Sequence, residues 1–364
     1  MKRLTKTAVA LTGAAALAVV PATAAAAQVT TVATGLDGPR QLSAYEDGLF
    51  VVAESDVGEV SSVDPGTGEV QTLVSGLFNP QGVAYADGDL YIAVGSAPPP
   101  GEPGPPLPEG AATESLLVVD PGDGTVLQTI DLLAHELAEN PDGQVQFVDG
   151  APVDALSNPF AVLAQGDRVL VADAGANAVL SVDPDSGEVS TFFVPPVVGP
   201  ADVPVCGERM NNPGTVGCDP VPTGLAEGPD GEIYVSTLGS EAPGAARIYE
   251  LDEDGAVQDV HHGLTSLVGV AVDGDGVVYA SYLLEGAPEG EPAPGFDPAT
   301  VGAVVRVAGN GERTWSQVTM PTGLAVDGGE LYASAWSTAA FVGGPAGSGQ
   351  VAQVGSDTFA AAAG

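Results

Sequence analysis

The sequence predicts an all-β fold, a six-bladed β-propeller closed by its own N-terminal strand, and three observations carry that reading. One β-rich phrase recurs six times, a second hairpin phrase follows the copies, and the chain begins with a near-duplicate of a strand that its last unit lacks.

The recurring phrase is an Asn-Pro-like start, a short apolar run, an Asp/Gly turn, and a second β run that usually carries Tyr. It stands as GPRQLSAYEDGLFVVAES (38–55), NPQGVAYADGDLYIAVGS (79–96), NPFAVLAQGDRVLVADAG (158–175), VPTGLAEGPDGEIYVSTLG (221–239), LVGVAVDGDGVVYASYL (267–283) and MPTGLAVDGGELYASAW (320–336). The second phrase is seen in GEVSSVDPGTGEVQTLV (58–74), SLLVVDPGDGTVLQTI (115–130), AVLSVDPDSGEVSTFF (178–193) and ARIYELDEDGAVQDV (246–260). Short apolar runs broken by Asp, Pro and Gly read as antiparallel hairpins. Two hairpins per unit give four strands, here a to d from the inside outward, which is the composition of a propeller blade. The sole short helical candidate is DLLAHELAEN (131–140).

The sixth unit has strands a and b, then GQVAQVG (349–355) as c, and no convincing d. VTTVATGL (29–36) nearly repeats VQTLVSGL (70–77), the d strand of the first unit. The N-terminal strand is therefore expected to complete the last blade and cover its open edge. The expected domain is 28–364, with blades at about 37–77, 78–136, 157–196, 221–264, 265–319, and 320–355 plus 29–36.

Residues 1–27 read as a signal peptide: a basic start (Lys2, Arg3, Lys6), an apolar stretch and a small-residue run. A secreted, extracellular protein without membrane insertion is expected. The chain has 9 Lys+Arg against 48 Asp+Glu, a net charge of −39, and the leader removes three basic residues but no acidic one. Such a surface repels nucleic acid and anionic membranes, so neither is an expected partner. Its 44% hydrophobic content argues for a folded core rather than disorder.

The long insertions share one side. The b-to-c connections 97–114, 241–246, 284–302 and 337–349, and the d-to-a connections 133–157 and 196–220, all fall on one face, while the opposite turns stay short. That face is the expected functional one. Cys206 and Cys218 lie within one insertion, and an even pair in an exported chain reads as a disulfide.

NPFAVLAQGDRVLVADAGANAVLSVDPDSGEVSTF (158–192), with its repeated P-x-G-[LV]-A phrase, resembles the ScyD/ScyE family of secreted bacterial propellers, and VADAGANAV (171–179) resembles the repeat core of NHL propellers. The resemblance implies a fold and names no reaction. The related gluconolactonase-like propellers hold a divalent ion with carboxylate and amide groups at the channel mouth. The corresponding positions here are Arg40, Gln81, Phe160, Thr223, Val268 and Thr322, none of them a carboxylate. A metal-dependent lactonase or esterase, with calcium or another divalent ion on Glu54, Asn158 and Asp173, therefore stands as the alternative.

The histidines do not converge: His135 lies in the helical candidate, and His261 and His262 are adjacent on one strand, facing opposite ways. No catalytic set is assigned. The favoured function is binding or scaffolding, by a monomer, of a small molecule, polysaccharide or extracellular protein. Arg40, Gln81, Thr223 and Thr322 are the candidate polar contacts, and Tyr282 and Trp336 the candidate aromatic platforms. A structural cell-envelope protein is the third reading.

Overall fold

A computed structural model describes residues 29–97, 107–153, 155–207, 213–288, 290 and 292–361. The expected signal peptide, 1–27, lies outside the described residues.

Six four-stranded antiparallel sheets form the blades. Blade I comprises Pro39–Ala44, Phe50–Glu54, Glu59–Val63 and Val70–Val74, and blade II Pro80–Ala86, Asp89–Val94, Ser115–Val119 and Val126–Asp131. Blade III comprises Pro159–Gln165, Arg168–Asp173, Ala178–Val182 and Val189–Phe193, and blade IV Pro222–Glu227, Ile233–Thr237, Ala246–Leu251 and Val257–Leu264. Blade V comprises Leu267–Val272, Val278–Tyr282, Ala303–Val307 and Arg313–Ser316. Blade VI takes strands a to c from Leu324–Asp327, Glu330–Ala335 and Gly349–Val354, and its d strand is Thr30–Leu36. Thr30 pairs with Gln353 and Leu36 with Gly349, so the chain's first described strand closes the ring.

Strands b and c are sandwiched between neighbouring blades, which is why they read as apolar on both faces. Phe50, Val51, Val52 and Ala53 are all fully buried, whereas on the outer strand Val70–Val74 only Val74 is buried. The core is divided into six apolar clusters, one at each junction between successive blades. The last joins Ala33, Leu36 and Val351 of blade VI to Leu42, Phe50 and Val52 of blade I, sealing the ring with the same chemistry as every other junction.

The connection from blade II to blade III carries helix α1 (Leu132–Glu139), capped at its start by the Asp131 carboxylate, which accepts from Ala134 N, and a two-residue hairpin pairing Phe147–Val148 with Ala151–Pro152. Residues 145–150 lie in and beside that hairpin, which belongs to no blade. Cys206 and Cys218 are bonded, with Cα atoms 5.1 Å apart, and lie fully buried among Val198, Val203, Ala242 and Ala245. The disulfide thus pins the III-to-IV connection to the b-to-c connection of blade IV. No helix among the described residues is long and apolar enough to cross a membrane.

Candidate functional site

The inner strands explain the repeated P-x-G phrase. A Cβ at Gly269 would stand 2.1 Å from Thr322 O, and one at Gly323 would stand 2.4 Å from Arg40 O. One at Gly224 would stand 2.7 Å from Val268 O, and one at Gly82 2.9 Å from Ala161 Cα. Glycine is therefore required at this position in blades II, IV, V and VI, where the inner strand meets its neighbour.

Strand a is also an edge strand, with backbone groups that its own sheet leaves unpaired. Hydroxyls from the preceding blade satisfy several of these carbonyls. Ser236 Oγ donates to Val268 O (3.2 Å), Ser281 Oγ to Thr322 O (2.7 Å), and Ser334 Oγ to Arg40 O (2.7 Å). Thr223 Oγ1 donates to Leu267 O (3.0 Å) and Thr322 Oγ1 to Pro39 O (3.0 Å). The Thr223 and Thr322 hydroxyls, buried at the ring of positions singled out in the sequence, thereby stitch blade to blade.

In blade I the glycine position is occupied by Gln41, whose side chain lines the central channel with Phe160, Thr223, Val268 and Thr322. Its Nε2 donates to Val162 O (2.7 Å), while Oε1 accepts from Val162 N (2.8 Å) and Val83 N (3.0 Å). One side chain thus ties blade I to blades II and III. The sequence reading missed Gln41, although its signal was present: a long amide where the other five copies carry Gly or Ala.

At the mouth, Arg40 is buried and donates from Nη1 to Ser337 O (2.6 Å), with Asp56 Oδ1 3.9 Å from Nη2. Burial pulls its pKa below the ordinary guanidinium value, and Asp56 works against that shift. Gln81, also buried, donates from Nε2 to Asn79 Oδ1 (2.8 Å), and its Oε1 has no partner. Asn79 sits in the left-handed region (φ 47°), as do Val221 (φ 53°) and Met320 (φ 44°), each just before the proline of the repeated phrase. The left-handed conformation suits Asn and strains Val and Met. Tyr282 is buried in the junction between blades IV and V, and that burial pushes its hydroxyl up to about 12. Trp336 is half-buried, and it lines a cleft between blades VI and I with Asp37, Asp56 and Val57.

The three side chains of the metal alternative are not brought to one point. Glu54 belongs to blade I and Asp173 to blade III, with blade II between. Glu54 Oε2 accepts from Asp37 N (2.8 Å) and Oε1 from Ser61 Oγ (2.5 Å); burial raises its pKa. Asp173 Oδ1 accepts from the backbone N–H groups of Asn158 (2.6 Å), Gly175 and Ala176 (both 3.1 Å), and Oδ2 from Ser157 Oγ (2.6 Å). Burial raises the pKa of Asp173, and these four hydrogen bonds oppose the rise. Asn158 Oδ1 accepts from Ser96 N (3.0 Å). With these lone pairs directed at protein donors and Arg40 in the ring, the mouth does not fit the converging oxygen set that a hard cation requires.

The insertion-bearing face differs from the rest of the surface in one respect. Among the described residues fourteen large apolar side chains are exposed, and only Val126, Leu127 and Val257 sit on outer strands. The other eleven, including Val57, Leu107, Phe147, Val216, Leu284 and Phe341, project from the connections of that one face. Phe341 is 82% exposed.

No protein-family model matches the chain, and no curated protein matches it in sequence. Solved structures do resemble it. A gluconolactonase from Xanthomonas campestris aligns with TM-score 0.53 and 13% identity over 91% of this chain and 89% of its own. Regucalcin from Agrobacterium tumefaciens, described as a calcium-binding protein, aligns with TM-score 0.54 and 12% identity over 90% and 93%. A luciferin-regenerating enzyme aligns with TM-score 0.54 and 9% identity over 93% and 98%. At these identities the likeness is one of fold: the chain is a six-bladed β-propeller, similar in architecture to gluconolactonase and regucalcin.

Proposed function

We propose that the chain is a secreted binding propeller, of the kind its ScyD/ScyE resemblance suggests, that docks an extracellular protein of neutral or basic surface through its insertion-bearing face. The observation that carries this reading is the collection of exposed apolar side chains on that face. Apolar side chains exposed on one face supply area that a protein partner can bury. Nine of the eleven are Val or Leu and two are Phe. Aliphatic side chains suit a protein surface better than a sugar, which is recognised by aromatic faces and dense polar groups. The chain's net charge of −39 disfavours an acidic partner.

The test is site-directed photo-crosslinking in the secreting cells, with the probe at position 341 or at position 257 on an outer strand. A defined partner captured at 341, absent at 257 and lost in the Phe147→Ser variant, is the expected result. Thermal-shift and lactone-hydrolysis screens run alongside. A melting shift with wall polysaccharides alone, or metal-dependent turnover of a lactone abolished by chelator, would replace the proposal with glycan recognition or with the hydrolase alternative.

A further inference from the structure

The II-to-III connection contains a second polar cluster, away from the channel. Glu136 and Gln144 are 3% and 7% exposed, and buried oxygens of both, Glu136 Oε2 and Gln144 Oε1, have no hydrogen-bond partner; nor does Asn140 Oδ1. Buried acceptors of this kind are rare in folded proteins and costly when left unpaired.

The amide orientations are fixed by their neighbours. Asn140 Nδ2 donates to Gln144 O (2.9 Å), and Gln144 Nε2 donates to Asp219 Oδ1 (2.7 Å). Rotating either amide would set oxygen against oxygen, so their Oδ1 and Oε1 atoms are the ends left over. Gln146 Nε2 donates to both Glu136 O (2.7 Å) and Glu136 Oε1 (3.0 Å), folding that carboxylate back on the end of α1. Asn140 is the left-handed C-cap of α1, its N–H bonded to Glu136 O, so Glu136 and Asn140 share one end and one face of the helix.

The electrostatics all point one way. The C-terminal end of a helix carries partial negative charge and favours a cation, yet the last turn of α1 has no basic residue. Asp142 and Asp173 add like charge to the surroundings of the buried Glu136 carboxylate. Three acceptor oxygens exceed what one water molecule donates, and a water brings no positive charge.

We propose that this junction binds one hard divalent cation of the calcium class through Glu136 Oε2, Asn140 Oδ1 and Gln144 Oε1, with water completing its shell. A cleft lined by Asn158, Asn177 and Asp219 adjoins the cluster through Asp219, the acceptor of Gln144 Nε2. Asp142 Oδ2 accepts from Asn177 Nδ2 (3.0 Å), and Asn177 Oδ1 from Val221 N (3.2 Å), so a bound ion would brace the connections on both sides of blade III.

The test uses the mature chain, stripped with EDTA and titrated with calcium chloride in roughly 0.5 M sodium chloride, which screens diffuse binding to the acidic surface. One site per chain is expected, with a melting temperature raised by on the order of 5 °C at saturation. Glu136→Gln and Asn140→Gly should each weaken binding at least tenfold. Asn140→Gly keeps the left-handed backbone and removes only the side chain, so it decides the matter even if Glu136→Gln folds poorly. Glu139→Gln, which removes an exposed carboxylate at the same helix end, should bind as the parent does. Absence of a stoichiometric site, binding retained in Asn140→Gly, or equal loss in Glu139→Gln overturns the proposal.

Discussion

Gln41 of blade I is bonded to both backbone groups of Val162 on blade III, donating to the carbonyl at 2.7 Å and accepting from the N–H at 2.8 Å. The same Oε1 takes Val83 N of blade II, so one side chain substitutes for a missing ladder partner on two inner strands. Gln41→Leu leaves three backbone groups without their partner and should cost about 2–4 kcal/mol. Denaturant unfolding measures it, and a loss below about 0.5 kcal/mol would mean that channel water takes over these bonds.

The glycine ring makes a steric prediction. Gly269→Ala sets a methyl 2.1 Å from the Thr322 carbonyl, backbone against backbone, and should cost at least about 1–3 kcal/mol. Gly274→Ala, at a turn with nothing within 4 Å, should change stability by no more than about 0.5 kcal/mol. Equal effects of the two would contradict close inter-blade packing as the reason for the phrase.

Closure by the N-terminal strand can be tested by truncation. A chain beginning at residue 37 loses Ala33 and Leu36 from the VI–I junction and bares the edge of Gly349–Val354. Such an edge pairs with other chains. Size-exclusion chromatography should show the truncated chain forming aggregates that the parent does not, and a truncated chain of unchanged elution and melting temperature would exclude the strand from the ring's stability.

Glu136 predicts a pH dependence in the absence of divalent ions. Its folded pKa of about 7 lies above the ordinary 4.5, so the folded state holds the proton more tightly than the unfolded state does. The resulting stabilisation is complete below 4.5 and is lost as pH rises towards 7. In EDTA the parent should therefore fall in stability over that window relative to Glu136→Gln, measured as a difference in unfolding free energy. Parallel pH profiles would show that the carboxyl titrates normally.

Much of the fold was legible because it rests on local pattern. Turn residues, alternation and self-similarity place each hairpin, and the duplicated strand at 29–36 marks its own position in blade VI. The pairing of Cys206 with Cys218 and the one-sided insertions were legible for the same reason. The site was less so. Thr223 and Thr322 read as polar groups at a mouth, yet the structure turns both to carbonyls of the next blade, because strand-a edges need donors. Tyr282 reads as an aromatic platform and lies buried in a junction cluster.

What the sequence alone determined is the repeat: six units, their strands, and the closure of the last by the first. What only the tertiary structure decided is where each polar atom spends its hydrogen bonds, since those partners are far apart in the chain. Gln41 meets Val162 across 121 positions and Thr322 meets Pro39 across 283. The packing of blade on blade turns Thr223 and Thr322 to neighbouring carbonyls, and the II-to-III connection leaves Glu136, Asn140 and Gln144 with buried oxygens that no protein donor reaches.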